Sequence, residues 1–203
     1  AYGATKRLME KLFVSANNYG GIKQHKTQFI TARYGNVFGS SGSVFPKFIE
    51  QIKLNQKITI TDPKMTRFSI TMDDALDFII NALKFGKGSE IFVPRLKAYS
   101  ILTINDALSD IYGKIKQETI GIRPGEKLHE TLIDKDEMRY SWEYKNMYLI
   151  SNPFYPTFYG KKIEKVYNGI KKIKKTDVYS SDKVQTLSKK EIINTLKQSE
   201  LVK

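Results

Sequence analysis

The sequence predicts an α/β fold with parallel strand pairing. Segments of helical period alternate with short β-branched or aromatic runs along most of the chain. Hydrophobic residues make up 40% of the 203 and aromatic residues 12%, which is enough for a packed core and excludes a disordered chain. Turn-forming residues separate the runs, as at Gly20-Gly21, Thr61-Asp62-Pro63 and Pro124-Gly125.

The first helix is expected from Tyr2 to Asn18. Leu8, Leu12 and Phe13, with Val14 and Ala16 beyond, form its apolar face, while Lys6, Arg7, Glu10 and Lys11 take polar positions. Gly20-Gly21 stops it. After a basic loop, Gln28 to Tyr34 reads as a buried strand and Gly35 to Ser43 as a Gly/Ser loop. Val44 to Leu54 reads as a helix with Pro46 in its first turn. Short strands follow at Lys57–Thr61 and Arg67–Ile70. Thr71 caps a helix through Leu83, with Asp73 and Asp74 at its positive end. Glu90–Val93 is a strand, Thr103 starts a helix to about Tyr112, and Lys116–Ile122 is a strand. Tyr, Trp, Asn and Pro crowd 140–160 without a clear period, which predicts an irregular aromatic segment. Residues 161–175 carry seven lysines and one glutamate, consistent with a basic helix or a solvated tail. Ser188 with Glu191 forms a capping box before a last helix, Lys189 to Leu201.

Composition excludes several chemistries. With no cysteine there is no disulfide scaffold, Cys-ligated zinc, iron–sulfur cluster or thiol nucleophile. His25 and His129 alone do not build a multi-histidine metal site, so no metal is expected. No apolar run approaches the roughly 18 residues of a membrane span, and no basic-then-apolar leader is visible. A cytoplasmic, soluble protein is expected. The formal charge is +13, from 34 Lys+Arg against 21 Asp+Glu. Only six of the 34 are arginine, the residue suited to bidentate phosphate contacts, so the excess reads as solubility rather than a polyanion groove. Lys161 to Lys175 would be the polyanion surface otherwise, but no aromatic-interleaved basic motif of the nucleic-acid-binding kind accompanies its lysines.

Four segments hold residues suited to chemistry. Tyr2 and Lys6 stand at i and i+4 on one helix face, where an ammonium lowers the pKa of a phenol and readies it for proton exchange with a sugar hydroxyl. The spacing is equally that of a surface Tyr–Lys pair. Arg33 to Ser43 (RYGNVFGSSGS) is a strand running into a small-residue loop, which lets backbone N–H groups approach a ligand or makes an ordinary turn. Asn36 stands at the strand's C-terminal end, where open α/β sheets bind ligands. Arg67 lies among apolar residues and needs an anionic partner: a diphosphate, or Asp62, Asp73 or Asp74. In IGIRPGEKLHE a strand ends, Pro-Gly turns and a charged cluster opens a helix. Arg123 and Glu126 there suit phosphate and hydroxyl groups, or a local salt bridge, and His129 reads as structural.

Taken in order, YGATKRLMEKLF, RYGNVFGSSGSV, ITDPKMTRF and IGIRPGEKLHETLI resemble the extended short-chain dehydrogenase/reductase family, in its polysaccharide-biosynthesis branch. The likeness is strong over residues 1–135. It extends to Tyr179-Ser180-Ser181 and the final L-S-x-x-E-I helix. It implies the C-terminal portion of a Rossmann-type fold with a smaller nucleotide-sugar-binding α/β domain. The expected division is residues 1–43 for the end of the NADP-binding domain, 44–150 mostly for the nucleotide sugar, and 151–203 for a C-terminal extension. In the family the Y-x-x-x-K helix follows a glycine-rich cofactor turn, and no G-x-G-x-x-G occurs here, so the chain is expected to be part of something longer.

The activity implied is NADP-dependent, C5-inverting 4,6-dehydration of UDP-N-acetylglucosamine, with a sister epimerase, a retaining dehydratase or non-catalytic UDP-sugar binding as alternatives. Hydride leaves C4 of the sugar, the ketone acidifies the C5 proton, water leaves C6, hydride returns to C6, and a proton returns to C5 from the other face. Carried over by position, Tyr2 and Lys6 would be catalytic and hold the nicotinamide ribose, and Val37, Phe38, Gly39, Ser40 and Ser41 would line the cofactor. Asn36, Phe45, Arg67, Arg123 and Glu126 would bind the substrate. Ser41 stands where the family commonly has arginine, which puts one cofactor or phosphate contact in question. The expected partners are a UDP-sugar and further copies of the protein, with no nucleic acid.

Overall fold

The computed structural model describes residues 2–18, 27–154, 156–157, 160–174, 177–199 and 201–202, with Tyr2 as backbone only. The helix stop expected at Gly20-Gly21 and most of the basic loop after it lie outside these residues. In chain order the elements are α1 (Tyr2–Ala16), β1 (Thr31–Ala32), β2 (Asn36–Val37), α2 (Val44–Lys53), β3 (Ile58–Ile60), β4 (Thr66–Ile70), α3 (Met72–Phe85), β5 (Ile91–Pro94), β6 (Ala98–Ser100), α4 (Ile101–Tyr112), β7 (Gln117–Thr119), β8 (Thr131–Ile133), α5 (Lys135–Met138), β9 (Ser141–Tyr144), β10 (Met147–Ile150), α6 (Ile163–Val166), β11 (Lys171–Lys172), β12 (Tyr179–Ser180) and α7 (Lys189–Gln198). Among the described residues no helix is long and apolar enough to cross a membrane.

The chain divides into two compact units, each gathered from three stretches. Unit 1 holds residues 1–34, 76–95 and 132–178, and unit 2 holds 35–75, 96–131 and 179–203.

Unit 1 is built on a five-stranded sheet of order β1-β5-β10-β9-β11. β1 and β5 pair in parallel, Thr31 opposite Ile91, and the other three pairings are antiparallel. All four residues of β5 are buried, the pattern of a strand covered on both faces. Phe78 and Ala82 of α3 pack with Phe92, Met147 and Leu149 of the sheet and with Ile163 and Tyr167. Within the segment expected to be irregular at 140–160, residues 141–150 instead form a hairpin, β9–β10, with Tyr144 opposite Met147 across a Lys145-Asn146 turn. Lys145 adopts φ 52 there. Its period-2 pattern is short and dense in aromatics, so the alternation is masked by residues that are large on both faces. The strand expected over 28–34 shortens to Thr31–Ala32. Asn17 ends α1: its side-chain amide donates to the Phe13 and Val14 carbonyls and exchanges hydrogen bonds with the backbone of Phe29.

Unit 2 contains the sheet β2-β4-β6 and the pair β3-β7. β2 pairs with β4 and β3 with β7 in parallel, while β6 runs antiparallel to β4. Phe45 and Phe48 of α2, Ile104 and Leu108 of α4, and Ile192 and Leu196 of α7 bury their side chains against Ile58, Ile60 and Tyr99. The capping box at Ser188 forms as expected, the hydroxyl accepting from the Glu191 N–H and the Glu191 carboxylate accepting from the Ser188 N–H. Thr71 likewise caps α3, accepting from the Asp74 N–H at 3.1 Å. Three expectations shift. α4 begins at Ile101, because Ser100 and not a later residue is its cap, accepting from the Thr103 N–H. β6 stands just before it, where no strand was read, and Gly125 to Glu130 forms an extended turn rather than a helix.

Candidate functional site

In unit 2 the end of β2, the loop after it, the first turn of α2 and the loop 123–126 enclose a cleft of about 420 Å³. Gly35 lets β2 reach its place: a Cβ there would lie 2.6 Å from the Phe68 Cβ on β4. The strand then turns through Gly39 and Gly42, at φ 73 and φ 76, where L side chains are strained. Turn hydrogen bonds run from the Ser40 N–H to the Val37 carbonyl and from the Ser43 N–H to the Ser40 carbonyl. The loop therefore presents Ser40 and Ser41, both exposed, along the cleft beside Asn36.

Arg67 projects from β4 into the same cleft, but its guanidinium is largely occupied. Nη1 donates to the Thr66 and Leu128 carbonyls at 2.8 and 2.9 Å, and Nη2 donates to the Lys127 carbonyl at 2.8 Å. Its nearest carboxylates are Glu130 at 3.7 Å and Glu126 at 4.0 Å, not Asp62, Asp73 or Asp74. Arg67 thus ties the 123–130 segment to β4. Arg123 is exposed, and among the described residues its guanidinium has no partner. The local Arg123–Glu126 salt bridge does not form; the Glu126 carboxylate instead accepts from the Arg123 backbone N–H at 3.3 Å.

Behind the cleft lies a buried polar group that sequence reasoning missed. Tyr99, 3% exposed, sits with Asn36 and Glu130 beside it. Burial pushes the Tyr99 phenol well above its ordinary value, and the neighbouring Glu130 charge adds to that. Burial also raises the Glu130 carboxyl, against the Phe68 N–H, which it accepts at 3.0 Å, and the Arg67 charge. Tyr99 is therefore a phenol held neutral at the floor of the site. It went unread because β6 is only three residues long. His129 is structural as expected: Nδ1 meets the Thr66 hydroxyl at 2.8 Å, and that hydroxyl meets the Ser181 hydroxyl at 2.7 Å.

Of the residues singled out by sequence, this cleft gathers Asn36, Ser40, Ser41, Arg67, Arg123 and Glu126. Phe45 does not line it. It is 1% exposed, with its ring 4.0 Å from that of Phe38 and 5.3 Å from that of Tyr99, and it supports the floor from the core. Phe38 is buried beside it, and Gly39 faces Leu201 so closely that a Cβ would lie 2.9 Å from Cδ1. Lys6 is exposed on α1 in unit 1, one turn after Tyr2, whose side chain lies outside the described residues. Among the described residues no cluster of three His, Asp or Glu side chains suits a metal.

Residues 1–152 match the family described as polysaccharide biosynthesis protein. The chain belongs to that family, within the extended short-chain dehydrogenase/reductase class. It is 39% identical over 210 residues to a Campylobacter jejuni UDP-N-acetylglucosamine 4,6-dehydratase (inverting), covering 98% of this chain and 59% of the relative. It is 37% identical to a Rickettsia bellii UDP-glucose 4-epimerase, covering 95% of this chain and 55% of that one. Among solved structures, Pen from Bacillus thuringiensis superposes with TM-score 0.83 at 35% identity, over 100% of this chain and 58% of that one. The chain thus spans somewhat over half the length of the relatives it matches.

Proposed function

We propose that the chain carries the nucleotide-sugar cleft and the Tyr-x-x-x-Lys helix of an NADP-dependent, C5-inverting UDP-N-acetylglucosamine 4,6-dehydratase of surface-polysaccharide or glycan synthesis. One observation carries the reading: residues from 36 to 126 that the motifs single out meet in a single cleft of unit 2, with an unpartnered guanidinium and exposed hydroxyls at its rim. A nucleoside diphosphate sugar offers the matching anionic and hydroxyl groups. Arg123 would meet phosphate, Glu126 ribose hydroxyls, and Asn36 and Ser40 the sugar side. Arg67 would act through the loop it holds.

A nicotinamide nucleotide, when bound, supplies the acceptor and donor of hydride for this chemistry. The residues present fit such a group in part. Lys6 is exposed, one turn from Tyr2 on the same helix. Of 37–41, the burial of Phe38 and the packing of Gly39 leave Ser40 and Ser41 as the open side chains, and these face the unit 2 cleft. Tyr2 Oη would take the proton of the sugar 4-hydroxyl as the 4-ketone forms, and the Lys6 ammonium would favour its phenolate. The whole protein would work in the cytoplasm as a homo-oligomer.

The Rickettsia relative supports a second reading, C4 epimerisation, on the same cleft. Titration of the chain with UDP-N-acetylglucosamine by calorimetry tests both, and absence of heat at millimolar ligand would remove them together. Proton NMR of the sugar after incubation of the whole protein with NADP separates them. A 6-deoxy-4-keto product marks the dehydratase; a C4 epimer with its 6-hydroxyl intact marks the epimerase.

A further inference from the structure

The cleft holds a third cation that no motif singles out. Lys47 lies on the first turn of α2 and lines the cleft, as Arg123 and Ser43 do. It is exposed, and among the described residues its ammonium has neither a carboxylate nor a carbonyl partner. Ser43 is the N-cap residue of α2, yet its hydroxyl caps nothing. That hydroxyl is also withdrawn from solvent with no hydrogen-bond partner. A buried hydroxyl without a partner costs free energy that a ligand oxygen would recover. Arg67, by contrast, already donates to three backbone carbonyls and stands between two carboxylates.

We infer that Lys47, with the Ser43 hydroxyl, is the chain's contact to the diphosphate of the bound nucleotide sugar, and that Arg67 is a positioning residue for the loop carrying Arg123 and Glu126. The inference rests on the nucleotide-sugar reading above and assigns its anion to particular side chains. A flexible ammonium serves a phosphate as a point charge, so its removal weakens binding without reshaping the site. Alanine is also the best helix former, so Lys47→Ala leaves α2 intact.

The test is ligand-observed NMR and calorimetry on the chain with uridine and UDP. Lys47→Ala is expected to weaken UDP about tenfold or more, the usual size of a lost charged hydrogen bond, and to leave uridine unchanged. Lys47→Arg is expected to retain UDP. Raising salt from low to physiological levels should weaken UDP more in the wild type than in Lys47→Ala. Equal UDP affinity in the wild type and Lys47→Ala, with binding measurable in both, would overturn the assignment of Lys47 and leave the nucleotide-sugar reading standing. Failure of the wild type to bind either ligand would overturn both.

Discussion

Arg33 follows β1 and reads in the sequence only as the first letter of the R-Y-G-N motif. In unit 1 its Nη2 meets the Glu10 carboxylate at 2.5 Å, and Nη1 meets Glu137 at 2.8 Å and the Leu132 carbonyl at 2.6 Å. Arg7 joins from α1, reaching Asp134 at 2.6 Å and Glu137 at 2.7 Å. Burial alone would raise the Glu137 carboxyl, but the hydrogen bonds and charge of Arg33, then of Arg7, hold it below the ordinary glutamate value. Replacing Arg33 by methionine leaves two largely buried carboxylates short of a counter-charge, and is expected to cost about 3–5 kcal/mol in urea denaturation at neutral pH. The sign of the pH dependence follows from the lowered Glu137 value. The stabilisation is complete above the ordinary glutamate value and is lost as pH falls through the folded one. The gap between wild type and Arg33→Met should therefore narrow in acid; a gap that stays constant down to pH 3 would count against the ion network.

Elements with local signals were legible. α7 is an example: S-x-x-E announced its start, and its Ile192 and Leu196 are fully buried. Ser188→Ala is expected to destabilise unit 2 by about 1 kcal/mol. Ser188→Asn, which keeps a cap acceptor, should recover most of it, and equal melting of the two variants would show that the cap contributes nothing. Elements set by neighbours were not legible. β6 has only Ala98, Tyr99 and Ser100, and it exists because Arg67 and Phe68 of β4 offer an open ladder. The hairpin β9–β10 was hidden because Trp142 and Tyr144 are only partly buried, so the alternation carries no clean contrast of hydropathy. Cleft residues followed the same division. Asn36, Arg67 and Arg123 stand in recognisable motifs, whereas Lys47 and Tyr99 occupy a helix turn and a strand whose facing depends on packing.

At the scale of the whole molecule, unit 1 leaves apolar surface uncovered. Leu8 and Leu12 on α1 are 61% and 57% exposed, and Ile80 and Leu83 on α3 are 61% and 66% exposed. β1 also forms one edge of the five-stranded sheet, with backbone groups suited to pairing. Such stripes and edges drive association. The chain is expected to self-associate at micromolar concentration in light scattering, and Leu12→Lys with Ile80→Lys to reduce it. A monodisperse, cooperatively melting monomer would contradict this, despite the +13 charge that opposes association.

The capped helices, the lack of cysteine and the family motifs follow from the sequence alone, because each depends on neighbours a few residues away or on residue type. Which cations in the cleft remain free was decided only in three dimensions. Arg67 and Lys47 carry the same formal charge, yet one is closed in by carbonyls from residues 127 and 128 and the other is left open on a helix turn. A side chain's availability depends on what the distant chain brings to it.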